Sequence, residues 1–135
     1  MTQEDKDYLV NLCARLPYGI KTRYSVNEYL MTINSIDIPS ETADILGEEH
    51  RFTAVPVNEI KPLLRKMSSM TDKEKIEFDR LINLVEERCI NAYGKGGYTL
   101  AFIELNNWLN EHHFDYLGWI EKGLAIEASK EIYNL

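Results

Sequence analysis

The sequence predicts a single α+β domain with an N-terminal helix, a small three-stranded antiparallel sheet and a C-terminal helical half. Three observations lead to this fold class. The length of 135 residues is typical of one domain. The first half contains apolar residues that alternate with a period of two, whereas the second half contains apolar residues at helical spacing. The links between the predicted strands are too short for a crossover helix, so antiparallel pairing is favoured.

Residues 2–16 are predicted to form the first helix. Thr2 is suited to cap its start, with Asp5 in the third position, and Pro17 and Gly19 end it. The apolar residues that share one face are Leu9, Leu12, Cys13 and Leu16.

Residues 20–26 follow as the first strand, whose apolar face comprises Ile20, Thr22, Tyr24 and Val26. A tight connection at Asn27-Glu28 leads to the second strand, and a shift in the alternation near Asn34-Ser35 predicts a bulge. The polar residues 39–50 are expected to form a surface loop. Residues 52–57 are the third strand, in which Pro56 favours an edge position. Whether the sheet curls toward a barrel is left open.

The helical half begins with a capping box at Thr71 and Glu74. The sequence Tyr93–Gly97 breaks that helix, and a second helix face extends to His112. A short last helix is predicted over residues 116–122, with Asp115 as its N-cap and Gly123 in a left-handed conformation after its end. Across the chain, the residues expected in the core are Leu9, Leu12, Leu16, Ile20, Tyr24, Phe78, Leu81, Val85, Phe102, Leu105 and Leu109.

The composition disfavours several classes of protein. A net charge of −7 opposes phosphate recognition, so nucleic acid is an unlikely partner. The N-terminus is acidic and polar, unlike a signal peptide, and no apolar run approaches the roughly 18 residues that span a membrane. The expected location is therefore the cytoplasm. Cys13 and Cys89, both on apolar faces, are expected to be buried free thiols.

No residue is assigned a catalytic, cofactor-binding or metal-binding role. The Gly94–Gly97 segment lacks the spacing of a phosphate-binding loop and predicts a helix–helix turn. Ser68-Ser69 lacks any pattern of an activated nucleophile. His112 and His113 point about 100° apart if helical, so they cannot easily share one metal ion.

Two surfaces are candidates for interaction. The aromatic-rich segment near the C-terminus offers His112, His113, Tyr116 and Trp119, because aromatic side chains that reach solvent often anchor interfaces. The second is a basic patch of Lys61, Arg65 and Lys66 within the interval 61–75. The favoured function is a non-enzymatic protein-binding module with an unidentified partner and an undetermined oligomeric state. A nucleic-acid-associated regulator that uses the basic patch is the alternative, and an enzyme with a site near His113 and Asp115 is the third possibility.

Three stretches carry a family resemblance: residues 12–19, which read LCARLPYG; residues 61–71, which begin KPLLR; and residues 108–125, which contain HHFDY. Together they resemble a family of small proteins, without an assigned activity, from gut anaerobes of the Bacteroides type and their phages. The resemblance implies a phage or mobile-element accessory role, but no reaction, cofactor or functional residue. Family members tend to have proline at the position of Lys66 and arginine at that of Leu117.

Overall fold

The computed structural model describes residues 2–90 and 97–133, and it confirms the α+β class with an N-terminal helix and C-terminal helices. Short 3₁₀ turns at Leu16–Tyr18, Val57–Glu59 and Met67–Ser69 connect the main elements. The helices and strands in chain order are α1 (Gln3–Arg15), β1 (Lys21–Tyr24), β2 (Tyr29–Asp37), β3 (Thr42–Leu46), β4 (Arg51–Pro56), β5 (Leu63–Leu64), α2 (Asp72–Ile90), α3 (Gly97–Glu111) and β6 (Ile126–Glu127).

The start of α1 is the predicted capping box. The backbone N–H of Asp5 donates to the Thr2 hydroxyl at 3.1 Å, and the Thr2 N–H donates to the Asp5 carboxylate at 3.0 Å. The helix buries Leu9 and Leu12 and ends at Arg15, and the 3₁₀ turn that follows it ends where Gly19 adopts a φ of 71°. Cys13 is a free thiol, but it is half-buried rather than fully buried. The Cys89 side chain lies outside the described residues.

The main sheet has four strands in the order β1-β2-β3-β4, each antiparallel to its neighbour, and not the three that the sequence predicted. The additional strand is β3, inside the segment that was expected to be a loop. Its inward residues are the small Ala43 and a single large one, Ile45, which pairs with Ile33 of β2. Two inward residues between polar neighbours are too weak a pattern to distinguish a strand from a loop.

The other details of the sheet are partly as predicted. The register of β2 shifts between Ile33 and Ser35, which confirms the bulge. Pro56 lies on β4, an edge strand, as expected. Val26 was expected on the buried face, but β1 ends at Tyr24 and Val26 is exposed in the following turn.

The helices α2 and α3 pack against each other around a second apolar cluster. The capping box of α2 is confirmed, since the Glu74 N–H donates to Thr71 and the Thr71 N–H donates to Glu74. Phe102 was expected in the core and is 45% exposed. The buried line of α3 instead runs through Ala101, Leu105 and Leu109, at a spacing of four residues. The predicted glycine turn at 94–97 lies outside the described residues except for Gly97, where α3 begins.

A buried segment, Pro62–Arg65, joins the sheet to the helical half. Pro62 forms a bridge with Thr22 of β1, and β5 pairs in parallel with β6. On its other side, the Arg65 N–H donates to the His113 carbonyl at 2.8 Å, and the Asp115 N–H donates to the Arg65 carbonyl at 2.8 Å. The segment is therefore hydrogen-bonded to both halves of the molecule.

The short helix predicted over 116–122 is absent, and turns occupy its place. Gly118 adopts a left-handed φ of 72°, which interrupts a right-handed helix inside the predicted range, and Gly123 adopts a φ of 75°. Gly123 has the predicted conformation, although the helix before it does not form. Among the described residues, no helix is both long and apolar enough to cross a bilayer.

Candidate functional site

The segment His112–Trp119, which we call the corner, follows α3 and turns the chain toward β6. The His113 N–H donates to the Asn110 carbonyl at 3.1 Å, and the Phe114 N–H donates to the Leu109 carbonyl at 3.0 Å. This pair of bonds is a Schellman motif, which commonly places glycine at the position that His113 occupies with a φ of 63°. A histidine in this conformation fixes the direction of the chain into the corner.

Arg65 is buried directly beneath the corner. Its guanidinium binds both carboxylate oxygens of Glu74, at 2.7 and 2.8 Å, and lies 4.2 Å from the centre of the Phe114 ring. Hydrogen bonding from Arg65 lowers the pKa of Glu74 to about 2, with further contributions from the Thr71 N–H and hydroxyl. Glu74 therefore caps α2 and neutralises Arg65 at the same time.

The three residues of the predicted basic patch therefore differ in their exposure to solvent. Arg65 is 2% exposed and does not contribute to an exposed basic surface. Lys61 and Lys66 are exposed, and the Lys66 ammonium lies 3.7 Å from the Glu127 carboxylate. Two dispersed lysines, one of them beside a carboxylate, remain of the three cations that the sequence suggested.

A second buried arginine, Arg15 of α1, binds the backbone of Phe114. Its Nη2 donates to the Phe114 carbonyl at 2.9 Å, and its Nε donates to Asn11 Oδ1 at 3.0 Å. The guanidinium lies 5.0 Å from the centre of the Tyr116 ring. Burial lowers the pKa of Arg15, and the nearby Tyr116 and Asp115 oppose that effect. We call Arg15, Arg65 and Phe114 the arginine cluster.

Two of the four predicted interaction residues belong to the interior. His113 is 8% exposed, and its ring stacks on that of Tyr133 at a centroid distance of 3.6 Å. Burial lowers the pKa of His113 to about 4, and the charges of Arg15 and Arg65 add to the shift. Trp119 is also buried, and the centre of its ring lies 4.6 Å from that of the Tyr8 ring. His112 and Tyr116 are half-buried.

Asp115 does cap a turn, but not through the N–H groups two and three residues later that a helix N-cap uses. Its carboxylate accepts the N–H of Trp119 at 2.8 Å and that of Ile120 at 2.9 Å, not those of Leu117 or Gly118. Both oxygens thus bind backbone within the corner. His112 donates from Nδ1 to the Trp108 carbonyl at 2.9 Å. These bonds give the polar side chains of the corner structural roles.

The outer side of the corner lines a groove of about 440 Å³ between α1 and α3, which we call the α1–α3 groove. Three large apolar side chains on its walls remain accessible to solvent: Val10 is 67% exposed, Ile103 48% and Leu117 43%. Its floor is polar. The Tyr116 hydroxyl donates to Asn110 Oδ1 at 2.8 Å and accepts from Asn11 Nδ2 at 2.8 Å.

The groove also has amide side chains and one carboxylate on its walls. Asn106 and Asn107 line it from α3, and Asp7 lines it from α1. Glu104 and Glu111 of α3 line a separate concavity beside α2, where Glu104 lies 3.6 Å from Arg80. Among the described residues, the groove lining therefore has one anionic side chain and no lysine or arginine.

Other concavities lie away from the corner. An open depression of about 700 Å³ at one end of the sheet includes His50, whose ring stacks on Tyr29 at 3.9 Å. A cleft of about 300 Å³ lies between α1 and the loop after β2. Within residues 2–90 and 97–133, no three His, Cys, Asp or Glu side chains come together as a possible metal site.

Sequence reasoning missed the two buried arginines and the groove. Arg15 follows the apolar face of α1, and Arg65 directly follows two buried leucines, so each lies next to a core pattern. The sequence signal for a buried ion pair was a cation next to such a pattern, together with a carboxylate at the start of a helix, such as Glu74. The groove had no local signal, because its walls come from helices about 90 residues apart in sequence.

Comparison of the chain with protein-family models, with curated proteins and with solved structures found no match in any of the three. The resemblance to the Bacteroides-type family stays a prediction.

Proposed function

We propose that the protein is a non-enzymatic binding module that holds a positively charged segment of a partner protein in the α1–α3 groove. The observation that carries this proposal is the exposure of Val10, Ile103 and Leu117 around one concave surface. Single exposed apolar residues are common on protein surfaces, whereas clustered ones mark interaction sites.

The rigidity of the groove supports docking. Its floor residues Asn11, Asn110 and Tyr116 bind one another and connect to the buried Arg15. A floor that is ordered before binding reduces the entropy lost on association. Covering the apolar walls would contribute roughly 25 cal/mol for each Å² removed from water.

Charge complementarity favours a basic partner segment. Among the described residues, the groove is lined by the Asp7 carboxylate and by no lysine or arginine. Such a surface attracts Lys- or Arg-containing segments and repels acidic ones, including nucleic acid. This feature favours a protein partner over the nucleic-acid alternative.

The predicted aromatic surface is refined in this proposal. Tyr116 contributes to the floor of the groove, while His113 and Trp119 support the corner from inside. A cytoplasmic location is also part of the proposal. The accessory role in a phage or mobile element is part of the proposal and rests on the family resemblance alone.

A selection experiment tests the proposal without knowledge of the natural partner. A displayed library of random 12-residue peptides is enriched on the full chain, and the enriched peptides are then measured against two variants. Val10→Lys places a cation on the wall of the groove and should weaken binding at least tenfold. The matched control is Ile76→Lys, which changes an equally exposed apolar residue on α2, outside the groove.

We expect the Ile76→Lys protein to bind the peptides as the wild type does. If Val10→Lys binds them equally well, or if no peptide is enriched on the folded chain, the proposed function is contradicted. Salt-dependent binding of a short DNA or RNA duplex that survives Val10→Lys and is lost in Lys61→Glu would instead support the nucleic-acid-associated regulator.

A further inference from the structure

We infer that the segment held in the α1–α3 groove is an extended basic strand rather than a helix, an inference that rests on the proposed function. The starting point is the pair of amide side chains, Asn106 and Asn107, that α3 contributes to the groove. Neither forms a hydrogen bond within the described part of the chain. Each carries a carbonyl acceptor and an NH₂ donor, the same two functions that a peptide unit offers.

The conformation of the partner follows from which backbone groups it can offer. In a helix the N–H and C=O groups bind one another along the axis, so the amides of a groove have no backbone partner. In an extended segment that is not part of a sheet, these groups remain available, and recognition of such a strand relies on main-chain hydrogen bonds. Unpaired amides beside an apolar wall therefore match an extended chain.

The orientation of the side chains in the floor of the groove is fixed by Arg15. A guanidinium can only donate, so Asn11 must turn its carbonyl oxygen toward Arg15 and its nitrogen toward Tyr116. The Tyr116 hydroxyl accepts from that nitrogen and donates to Asn110 Oδ1. The chain of bonds ends on the buried Asn110, so the floor beneath Asn106 and Asn107 is held in place before binding.

The charge of the segment follows from the walls. Asp7 lines the groove, and no described lysine or arginine lines it. Alternate side chains of an extended strand point to opposite sides. One set would contact Val10, Ile103 and Leu117, and the other would place Lys or Arg near the Asp7 carboxylate.

Synthetic versions of the peptides enriched on the full chain test this inference. N-methylation at alternate backbone nitrogens removes donors from an extended strand, and we expect one of the two alternating sets to weaken binding at least tenfold. Asn107→Leu should weaken the unmodified peptide about fivefold and reduce the effect of N-methylation. Asp7→Lys should weaken binding and flatten its dependence on salt.

Helix-promoting α-aminoisobutyrate replacements distinguish this inference from the proposed function. If they strengthen binding while Val10→Lys still abolishes it, the groove binds a helix and the inference is overturned, whereas the proposed function stands. If the enriched peptides are acidic and their binding still depends on Val10, only the inferred basic charge of the segment is overturned. Peptides insensitive to Val10→Lys would contradict both proposals.

Discussion

The inner and outer sides of the corner are built from adjacent residues but differ in the exposure of their polar groups. On the inner side, the Arg65 guanidinium is bound to Glu74, and Arg15 donates to the Phe114 carbonyl. On the outer side, the Tyr116 and Asn110 side chains form the floor of a groove whose Asn106 and Asn107 amides have no partner within the described residues. Three buried atoms of the inner side, Arg15 Nη1, Arg65 Nε and His113 Nδ1, also lack a hydrogen-bond partner in the described part of the chain, so the two sides differ mainly in exposure. The buried contacts of the inner side stabilise the fold, and the accessible amides of the outer side retain binding capacity.

This difference teaches that polar content alone does not identify a functional surface. The corner attracts attention in the sequence because of its histidines and aromatic residues, yet His113 and Trp119 are buried. Substitutions on the inner side should change stability, and substitutions on the outer side should change binding. The predicted losses of stability below run from the largest to the smallest.

Loss of the buried ion pair should have the largest effect. Arg65→Ala leaves the Glu74 carboxylate without its main partner and removes the cation from above the Phe114 ring. Removing one member of a buried pair typically costs about 3–5 kcal/mol. Urea unfolding should show this loss, whereas the exposed neighbour Lys66→Ala should change the free energy of unfolding by less than about 0.5 kcal/mol. A loss below about 1 kcal/mol for Arg65→Ala would indicate that the pair is not important for the fold.

The apolar core beneath the sheet provides the next comparison. Leu12 is fully buried, so Leu12→Ala should destabilise the protein by about 2–5 kcal/mol. Val10 lies on the same helix but faces the groove, and Val10→Ala should change the free energy of unfolding by no more than about 0.5 kcal/mol. Equal effects at the two positions would contradict the assignment of the two faces of α1.

His113 should make the stability of the folded protein depend on pH in the acidic range. Its pKa is about 4 in the folded protein and 6.5 in an unperturbed histidine, so the unfolded chain binds the proton more readily. The stability due to neutral His113 is present above pH 6.5 and is lost as the pH falls toward 4. The loss should be about 3 kcal/mol at pH 4, given about 1.4 kcal/mol for each pKa unit.

His113→Asn is the matched variant, because asparagine tolerates a left-handed conformation and does not titrate. Its free energy of unfolding should depend less on pH between 6.5 and 4 than that of the wild type. The dependence from Glu74, whose lowered pKa makes its contribution disappear between pH 4.5 and about 2, should remain. An unchanged slope in His113→Asn would show that another group causes the sensitivity.

Loss of the Asp115 carboxylate should have a smaller effect on stability, which is divided between two hydrogen bonds. Asp115→Ala removes the acceptors of the Trp119 and Ile120 N–H groups and should cost about 1–3 kcal/mol. Asparagine offers one oxygen instead of two, so Asp115→Asn should lose about half as much, rather than being nearly neutral as a simple helix cap would be. Thermal unfolding of both variants measures this. Unchanged melting temperatures would refute the capping role of Asp115.

Local patterns predicted the parts of the fold that depend on neighbours in sequence. The capping boxes at Thr2 and Thr71, the bulge after Ile33 and the left-handed Gly123 each follow from a few adjacent residues. The predicted helix over 116–122 failed because Gly118, which lies inside that range, takes a left-handed conformation.

The candidate site depends on contacts between distant residues. Arg65 is nine residues from Glu74, but it lies under Phe114 because the Pro62–Arg65 segment is buried between β6 and the corner. Tyr116 meets Asn11 across 105 residues. Periodicity describes the face of one element at a time, so it indicates neither a buried arginine pair nor a groove between α1 and α3.

The most direct test of the division between the two sides of the corner combines stability and binding for the single variant Val10→Lys. Asp7 lies three residues before this position, so a lysine there is compatible with the helix. We predict a free energy of unfolding within about 0.5 kcal/mol of the wild type and at least a tenfold loss of affinity for the peptides selected on the groove. Unchanged affinity in the stable variant would contradict the account, as would a loss of stability comparable to that of Leu12→Ala.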